Sequence, residues 1–340
     1  MTLDSTRRRK PLPPGLRTAL RGTAILACAA VVATAAFNAA SSGTGDDARA
    51  QLTLIAPAGA GGGWDGAARE AQQAMRAQSI VNNAQVVNIP GAGGTIGLNN
   101  FAGMEGEKSS LMVMGITMLG AININGSNTT IEDVTPIARL TDDYDVLVVP
   151  AGSPYDSVDE LVADWAKDPN AFAFGGGSLG SVDQMIITEL AQQAGIKPTA
   201  VNYIAYSGGG ELATSLLSGT IKASVSGWVD FADQIEAGKL KALAVSAPEP
   251  VPATGVPTLK ELGYDIELTN WRGLVAPPGL SDEDVDELQQ IVAETVKTPQ
   301  WADALERNQW ADTFLTGPEF EAFLDSERQS VDAIWNGLGY

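Results

Sequence analysis

The chain of 340 residues has no histidine, and its one cysteine, Cys28, lies close to the N-terminus. These absences exclude Ser-His-Asp and Cys-His nucleophilic chemistry, His-ligated zinc and any intrachain disulfide. Basic residues are also scarce, with 21 Lys and Arg against 41 Asp and Glu, for a formal net charge of −20. Seven of those bases and three of the acids fall in the first 50 residues, so residues 51–340 carry a formal charge of −24. Such a field repels nucleic acid and anionic membrane surfaces, which removes both from the expected partners. A small anionic ligand therefore needs strong local donors. No clustered metal-ligand motif and no G-x-x-x-x-G-K-[ST] occur. Gly61, Gly63 and Gly66 formally fit G-x-G-x-x-G, but the next strand-like run ends at Asn88 rather than at an acid for a ribose. No metal or cofactor is expected.

The N-terminus holds Arg7, Arg8, Arg9, Lys10, Arg17 and Arg21 ahead of the apolar run "TAILACAAVVATAAF" and the small residues "NAASSG". That order is the pattern of an export signal. Residues 1–50 are read as a signal peptide or N-terminal anchor with a short linker. Cleavage near Ala39 or Ala40 and retention of residues 22–41 as an anchor are both open. The expected location is periplasmic or at the cell surface.

Downstream, short apolar runs alternate with helix-like stretches. "LTLIAP", "AQVVNIP" and "SLMVMGI" read as buried strands, with "GWDGAAREAQQAMRAQ" and "IGLNNFAGM" as the helices between them. The alternation continues through "LKALAVSA", and repeated strand-helix units predict α/β architecture with parallel sheets covered by helices. "SDEDVDELQQIVAETVKTPQWADAL" reads as a helical stretch with Ser281 as N-cap. Chain crossings near Val149 and Val245 divide the sequence into a first lobe of residues 51–149 and 246–340 and a second of residues 150–245. A cleft between the lobes follows from that division.

Four glycine-rich turns stand just after strand-like runs, at residues 59–63, 91–97, 175–180 and 208–210. In open α/β sheets ligands bind beyond the carboxyl ends of strands. The first amides of the following helices lack internal partners and sit at the positive end of the dipole, so they suit a carboxylate. Glycine lets a ligand approach that backbone closely.

"LIAPAGAGGGWDGAARE" and "VVNIPGAGGTIGLNNFA", followed in order by "FGGGSLGSVDQMIITEL", "VNYIAYSGGGELATSLLSGTIKASVSG", "GVPTLKELGYDIE" and "WRGLVAPPGLS", resemble the extracytoplasmic solute receptors of tripartite tricarboxylate transporters, the TctC/Bug type. The resemblance spans about residues 51–335. It implies a two-lobed Venus-flytrap fold of periplasmic-binding-protein type II, two sheets flanked by helices with the ligand cleft between the lobes. It also implies a carboxylate-bearing ligand, and delivery to a small and a large integral membrane subunit. By the same resemblance Gly61, Gly62, Gly63, Trp64 and Asp65 form a first ligand loop whose amides and ordered waters hold a carboxylate. Ser178, Gly180 and Ser181 match a second loop, and Tyr206, Ser207 and Gly208 a third. Trp64 replaces a residue more often small and polar in the family, and Gln184 one that is often histidine.

The remaining candidates come from the residues themselves. Trp64 either walls the pocket or packs against the other lobe, and Asp65 either meets the ligand or pairs with Arg69 at i,i+4 spacing. Ser178 and Ser181 suit a helix cap as well as a ligand. Thr117 follows a strand and has a hydroxyl to donate. Trp228 and Asp230 follow another strand and face either the cleft or the core. Arg272, beside Trp271, is the candidate clamp for a second carboxylate or else a solvated surface residue. No convergent acid, base and nucleophile is visible, so binding without catalysis is the expectation. The ligand class is a small organic acid: a di- or tricarboxylate, an aromatic acid or an acidic amino acid. Transport and signalling to a sensor kinase remain alternative outputs.

Overall fold

A computed structural model describes residues 47–206 and 209–337. The basic and apolar N-terminal segment with Cys28, and the site candidates Ser207 and Gly208, lie outside the described residues.

Strand β1 (Gln51–Ala56) is buried at every position after the first, as expected for a parallel strand covered on both faces. It lies between β2 (Asn83–Asn88) and β3 (Ser110–Gly115), parallel to both. Helix α1 (Gly63–Ala77) joins β1 to β2 and buries Ala67, Ala68, Ala71, Ala74 and Met75, the apolar stripe of a helix lying on a sheet. Helix α2 (Thr95–Ala102) joins β2 to β3, and α3 (Ile116–Asn125) leaves β3.

The next strand, β4 (Thr135–Pro150), belongs to two sheets. Up to Tyr144 it pairs antiparallel with β9 (Thr269–Ala276) and, on its other edge, with β10 (Ala311–Thr316). From Asp145 it pairs antiparallel with β7 (Ala223–Gly227) and β8 (Leu240–Val245). The chain thus passes from one sheet to the other inside a single strand. In the second sheet β5 (Ala173–Gly176) lies between β6 (Asn202–Ala205) and β7, parallel to both. Helices α4 (Val158–Trp165), α5 (Val182–Gln193), α6 (Gly209–Leu217) and α7 (Trp228–Glu236) serve this sheet. Helices α8 (Asp282–Thr295), α9 (Pro299–Asn308) and α10 (Gly317–Gly337) follow β9.

Two expectations change. The predicted parallel sheets hold for the triplets β2-β1-β3 and β6-β5-β7, but β4, β8, β9 and β10 pair antiparallel. Apolar runs report burial on both faces and carry no information on strand direction. The predicted stretch from Ser281 is two helices: Ser281 caps the first by accepting from Asp284 N at 3.2 Å, and Thr298 caps the second by accepting from Trp301 N at 3.1 Å. Pro299 takes the first turn of α9, where its missing N–H costs nothing.

Tryptophans anchor much of the core, with Trp165, Trp271, Trp301 and Trp335 all fully buried. Trp228 packs in the second sheet's core with Tyr144, Val146 and Phe231. Trp271 donates its indole N–H to Glu327 at 2.6 Å. Both therefore serve the core rather than the cleft. Among the described residues no helix is long and apolar enough to cross a membrane.

Candidate functional site

The glycine turns after β1, β2, β5 and β6 converge on one cleft of about 810 Å³, with walls from both sheets. That volume lies in the range of small-molecule sites. The first sheet contributes residues 57–64, 90–94, Thr117, Asn270 and Arg272. The second contributes Gly177, Ser178, Tyr206, residues 209–212, Ser226 and Asp230.

Loop 1 shows which amides are open. Gly61 N donates to Asp65 Oδ2 at 2.8 Å and Gly62 N to Gly59 O at 3.2 Å, so both are internally satisfied. The first backbone bond of α1 runs from Gly66 N to Gly62 O at 2.9 Å. Gly63, Trp64 and Asp65 therefore present their amides at the helix N-terminus, at the positive end of its dipole. The Asp65 carboxylate is buried and braces the loop: besides Gly61 it takes Arg69 Nε at 2.8 Å and Asn88 Nδ2 at 2.8 Å. Burial opposes its charge, but the bonds from Arg69, Gly61 and Asn88 outweigh it and hold the pKa below the ordinary range. The Asp65 carboxylate is thus committed to Arg69, Asn88 and the loop, and Asp65 is not among the residues that line the cleft.

Trp64 lines the cleft and is 8% exposed. Its indole occupies space left by two glycines: a Cβ on Gly94 would stand 2.7 Å from Cζ3, and one on Gly115 would stand 3.3 Å from Nε1.

Loop 2 spends three of its amides internally. Gly177 N donates to Asp183 Oδ2 at 2.5 Å, Gly180 N to Gln184 Oε1 at 2.8 Å and Ser181 N to Ser178 O at 3.0 Å. Ser181 Oγ caps α5 and contacts Tyr203 Oη at 3.2 Å. Burial raises the Asp183 carboxyl to about 6 despite the Gly177 bond. Of this loop's candidates Ser178 lines the cleft, whereas Gly180 and Ser181 do not. Gly180 instead meets α3, where a Cβ on Gly180 would be 2.8 Å from Gly120 C. Thr117 Oγ1 faces Val182 N at 3.5 Å, a second link between the sheets.

Tyr206 lines the cleft and donates its amide to Gly176 O at 2.9 Å. Arg272 is buried, not solvated. Its Nη2 lies 3.0 Å from Asp143 Oδ2, and the guanidinium sits over the Trp310 ring at 5.0 Å. Arg272 lines the cleft, and its Nη1 is buried with no hydrogen-bond partner among the described residues. Burial pushes the Asp143 carboxyl up against the pull of Arg272. Asp230 lines the cleft and accepts from Ser226 Oγ at 2.7 Å, with its pKa raised by its surroundings.

Sequence reasoning missed Asp143, Ser226 and Asn270 as site or supporting residues. The acids in "TDDYDVLVV" inside an apolar run were the available signal for Asp143. The turns at 91–94 and 209–210 stood out as glycine-rich without entering the residue list.

Two sheets sharing one strand, with a cleft between helix N-termini and strand ends, define a two-lobed solute-binding protein of the periplasmic type. The family model "Tripartite tricarboxylate transporter family receptor" matches residues 67–338. The chain belongs to that family and is a receptor, not an enzyme. Protein BugT of Bordetella pertussis is 28% identical over 297 residues, covering 84% of this chain and 87% of BugT. The crystal structure of a TctC solute-binding protein from Polaromonas, without ligand, is 30% identical with a TM-score of 0.66, covering 84% and 98% of the two chains. Rpa4515 of R. palustris, solved with adipate, has a TM-score of 0.76 at 20% identity, covering 85% and 97%.

Proposed function

We propose that this protein captures a small carboxylate-bearing organic anion in the cleft and delivers it to the small and large integral membrane subunits of a tripartite tricarboxylate-type transporter. The observation that carries the reading is that Gly63 and Trp64, whose amides open a helix and have no hydrogen-bond partner among the described residues, line one cavity together with Arg272. Backbone donors at a helix N-terminus bind a carboxylate without any basic side chain in the loop. Arg272 adds one charge-assisted donor. Trp64, Thr117, Ser178 and Tyr206 complete the walls. The adipate held by Rpa4515 is of the same chemical class.

Ligand entry favours the closed form by its better affinity for that form, and the closed surface is what the membrane subunits recognise. The test is a thermal-shift screen of the purified protein against mono-, di- and tricarboxylates, aromatic acids and amino acids. A ligand at a hundred times its Kd stabilises the native state by about 2.7 kcal/mol, a shift of several degrees. Failure of every carboxylate with a folded, ligand-free protein overturns the reading.

A further inference from the structure

Three charged side chains line the described part of the cleft: Glu211, Asp230 and Arg272. One base against two acids is an unusual lining for a site that takes an anion. The charge of Arg272 is already matched by Asp143, whereas Asp230 has no ion-pair partner among the described residues. Among the described residues its Oδ2 takes the neutral hydroxyl of Ser226, at 2.7 Å, while Arg272 acts on it through charge alone.

The placement of these groups is ordered. A Cβ on Gly63 would stand 2.8 Å from Arg272 Nη2, so the guanidinium packs against Gly63 at the start of α1. A Cβ on Gly227 would stand 3.4 Å from Asp143 Oδ2 and 3.7 Å from Asp230 Oδ2, so the two carboxylates flank that glycine. The line runs from loop 1, against which Arg272 packs, through Asp143, which pairs with Arg272, to a carboxylate end at Asp230. A ligand that is anionic throughout would leave Asp230 facing like charge in a site of restricted hydration. A ligand with a carboxylate at one end and a protonated amine at the other satisfies both ends.

We infer that Asp230 is a specificity-determining residue that selects, among small carboxylates, those bearing a protonated amine, the amino-acid class. This rests on the carboxylate-receptor reading above. Selection by an unpaired polar group is stronger than selection by shape, because the analogue lacking the amine leaves the carboxylate without a counter-charge. Asp230 also touches the start of α6, where a Cβ on Gly209 would be 2.5 Å from Oδ1. A carboxylate serving only that helix end would affect stability and leave ligand preference untouched.

The test uses isothermal titration calorimetry on the purified protein with pairs that differ by one amino group: butanoate and 4-aminobutanoate, and pentanoate and 5-aminopentanoate, in which the amine stands at the end away from the carboxylate, together with succinate and aspartate and glutarate and glutamate, in which a distal carboxylate is added. The expected result is that in at least one pair the amino member binds about tenfold or more tightly than its partner. Asp230→Asn should remove that preference, weakening the amino member while the des-amino acid, no longer facing like charge, binds as well or better. Des-amino acids binding as well as or better than their partners, or a preference that survives Asp230→Asn, would overturn the inference and leave the receptor reading standing. If no member of any pair binds the folded protein, and the wider panel also fails, both fall together. Should Asp230→Asn fail to fold, the wild-type ratios decide by themselves.

Discussion

Arg272 on β9 and Asp143 on β4 form a buried ion pair, Nη2 to Oδ2 at 3.0 Å, with side chains only 5% and 3% exposed. The pair ties two adjacent antiparallel strands at the point where β4 leaves the first sheet, and its Arg272 also lines the cleft. Stability and binding are therefore coupled in one contact.

Arg272→Met strands a buried carboxylate and should cost about 3–5 kcal/mol in urea unfolding. Adding Asp143→Leu removes the stranded group and should recover most of that loss. The double variant should still bind the best carboxylate of the screen at least about tenfold more weakly, since the guanidinium that lines the cleft is gone. Restored binding in the double variant would show that Arg272 serves only the fold.

Neighbouring glycines in loop 1 should behave differently. Gly62 is in extended backbone, φ −76° and ψ 167°, and a Cβ there would come no closer than 3.3 Å to Gly59 O. Gly62→Ala should fold with an unchanged melting temperature. Gly63→Ala places its methyl 2.8 Å from Arg272 Nη2 and should lower affinity by about tenfold, with a stability change within about 1 kcal/mol. Calorimetry on the two variants side by side checks the contrast.

The sheets meet where Gly120 of α3 faces Gly180 of loop 2. A Cβ on Gly180 would fall 2.9 Å from Ala121 N, and one on Gly120 would collide with Gly180 O. Gly120→Ala favours the helix locally by up to about 1 kcal/mol but cannot be accommodated with the lobes this close. The expected outcome is an unchanged or raised melting temperature without ligand, a larger radius of gyration by small-angle scattering, and weaker binding. An unchanged radius with wild-type affinity would show that closure does not use this contact.

Glu189 on α5 is raised to about 7 by burial and, second, by Asp265. An ordinary glutamate titrates near 4.3, so between these values the folded state binds more protons than the unfolded one. The stability this group permits is fully present below about pH 4.3 and falls as pH rises toward 7. Glu189→Gln should match wild type at pH 4 and exceed it by about 1–2 kcal/mol at pH 8, a figure reduced for partial exposure. Urea unfolding at both pH values reads this; equal stability at pH 8 would contradict it.

Much of the fold is legible locally. β1, β2 and β3 sit on their apolar runs, and Ser281 caps its helix three residues before Asp284, because burial pattern and capping chemistry act over a few residues. The family followed from ordered glycine motifs, each an unbranched backbone turn after a strand. Strand direction was not legible, since a run such as "DVLVVP" is equally apolar in either orientation.

The sequence by itself determined the α/β order, the glycine turns and the membership of a receptor family. Only the tertiary structure decided which donors are open. Gly61 and Gly62 lie in the first glycine loop, yet Asp65 and Gly59 already take their amides, whereas Gly63 and Trp64 line the cleft with theirs unspent among the described residues. Arg272 finds its partner 129 residues away, on a strand whose acids carry no local pattern. A hydrogen bond between distant residues depends on how the strands are brought together, and no local periodicity encodes that choice.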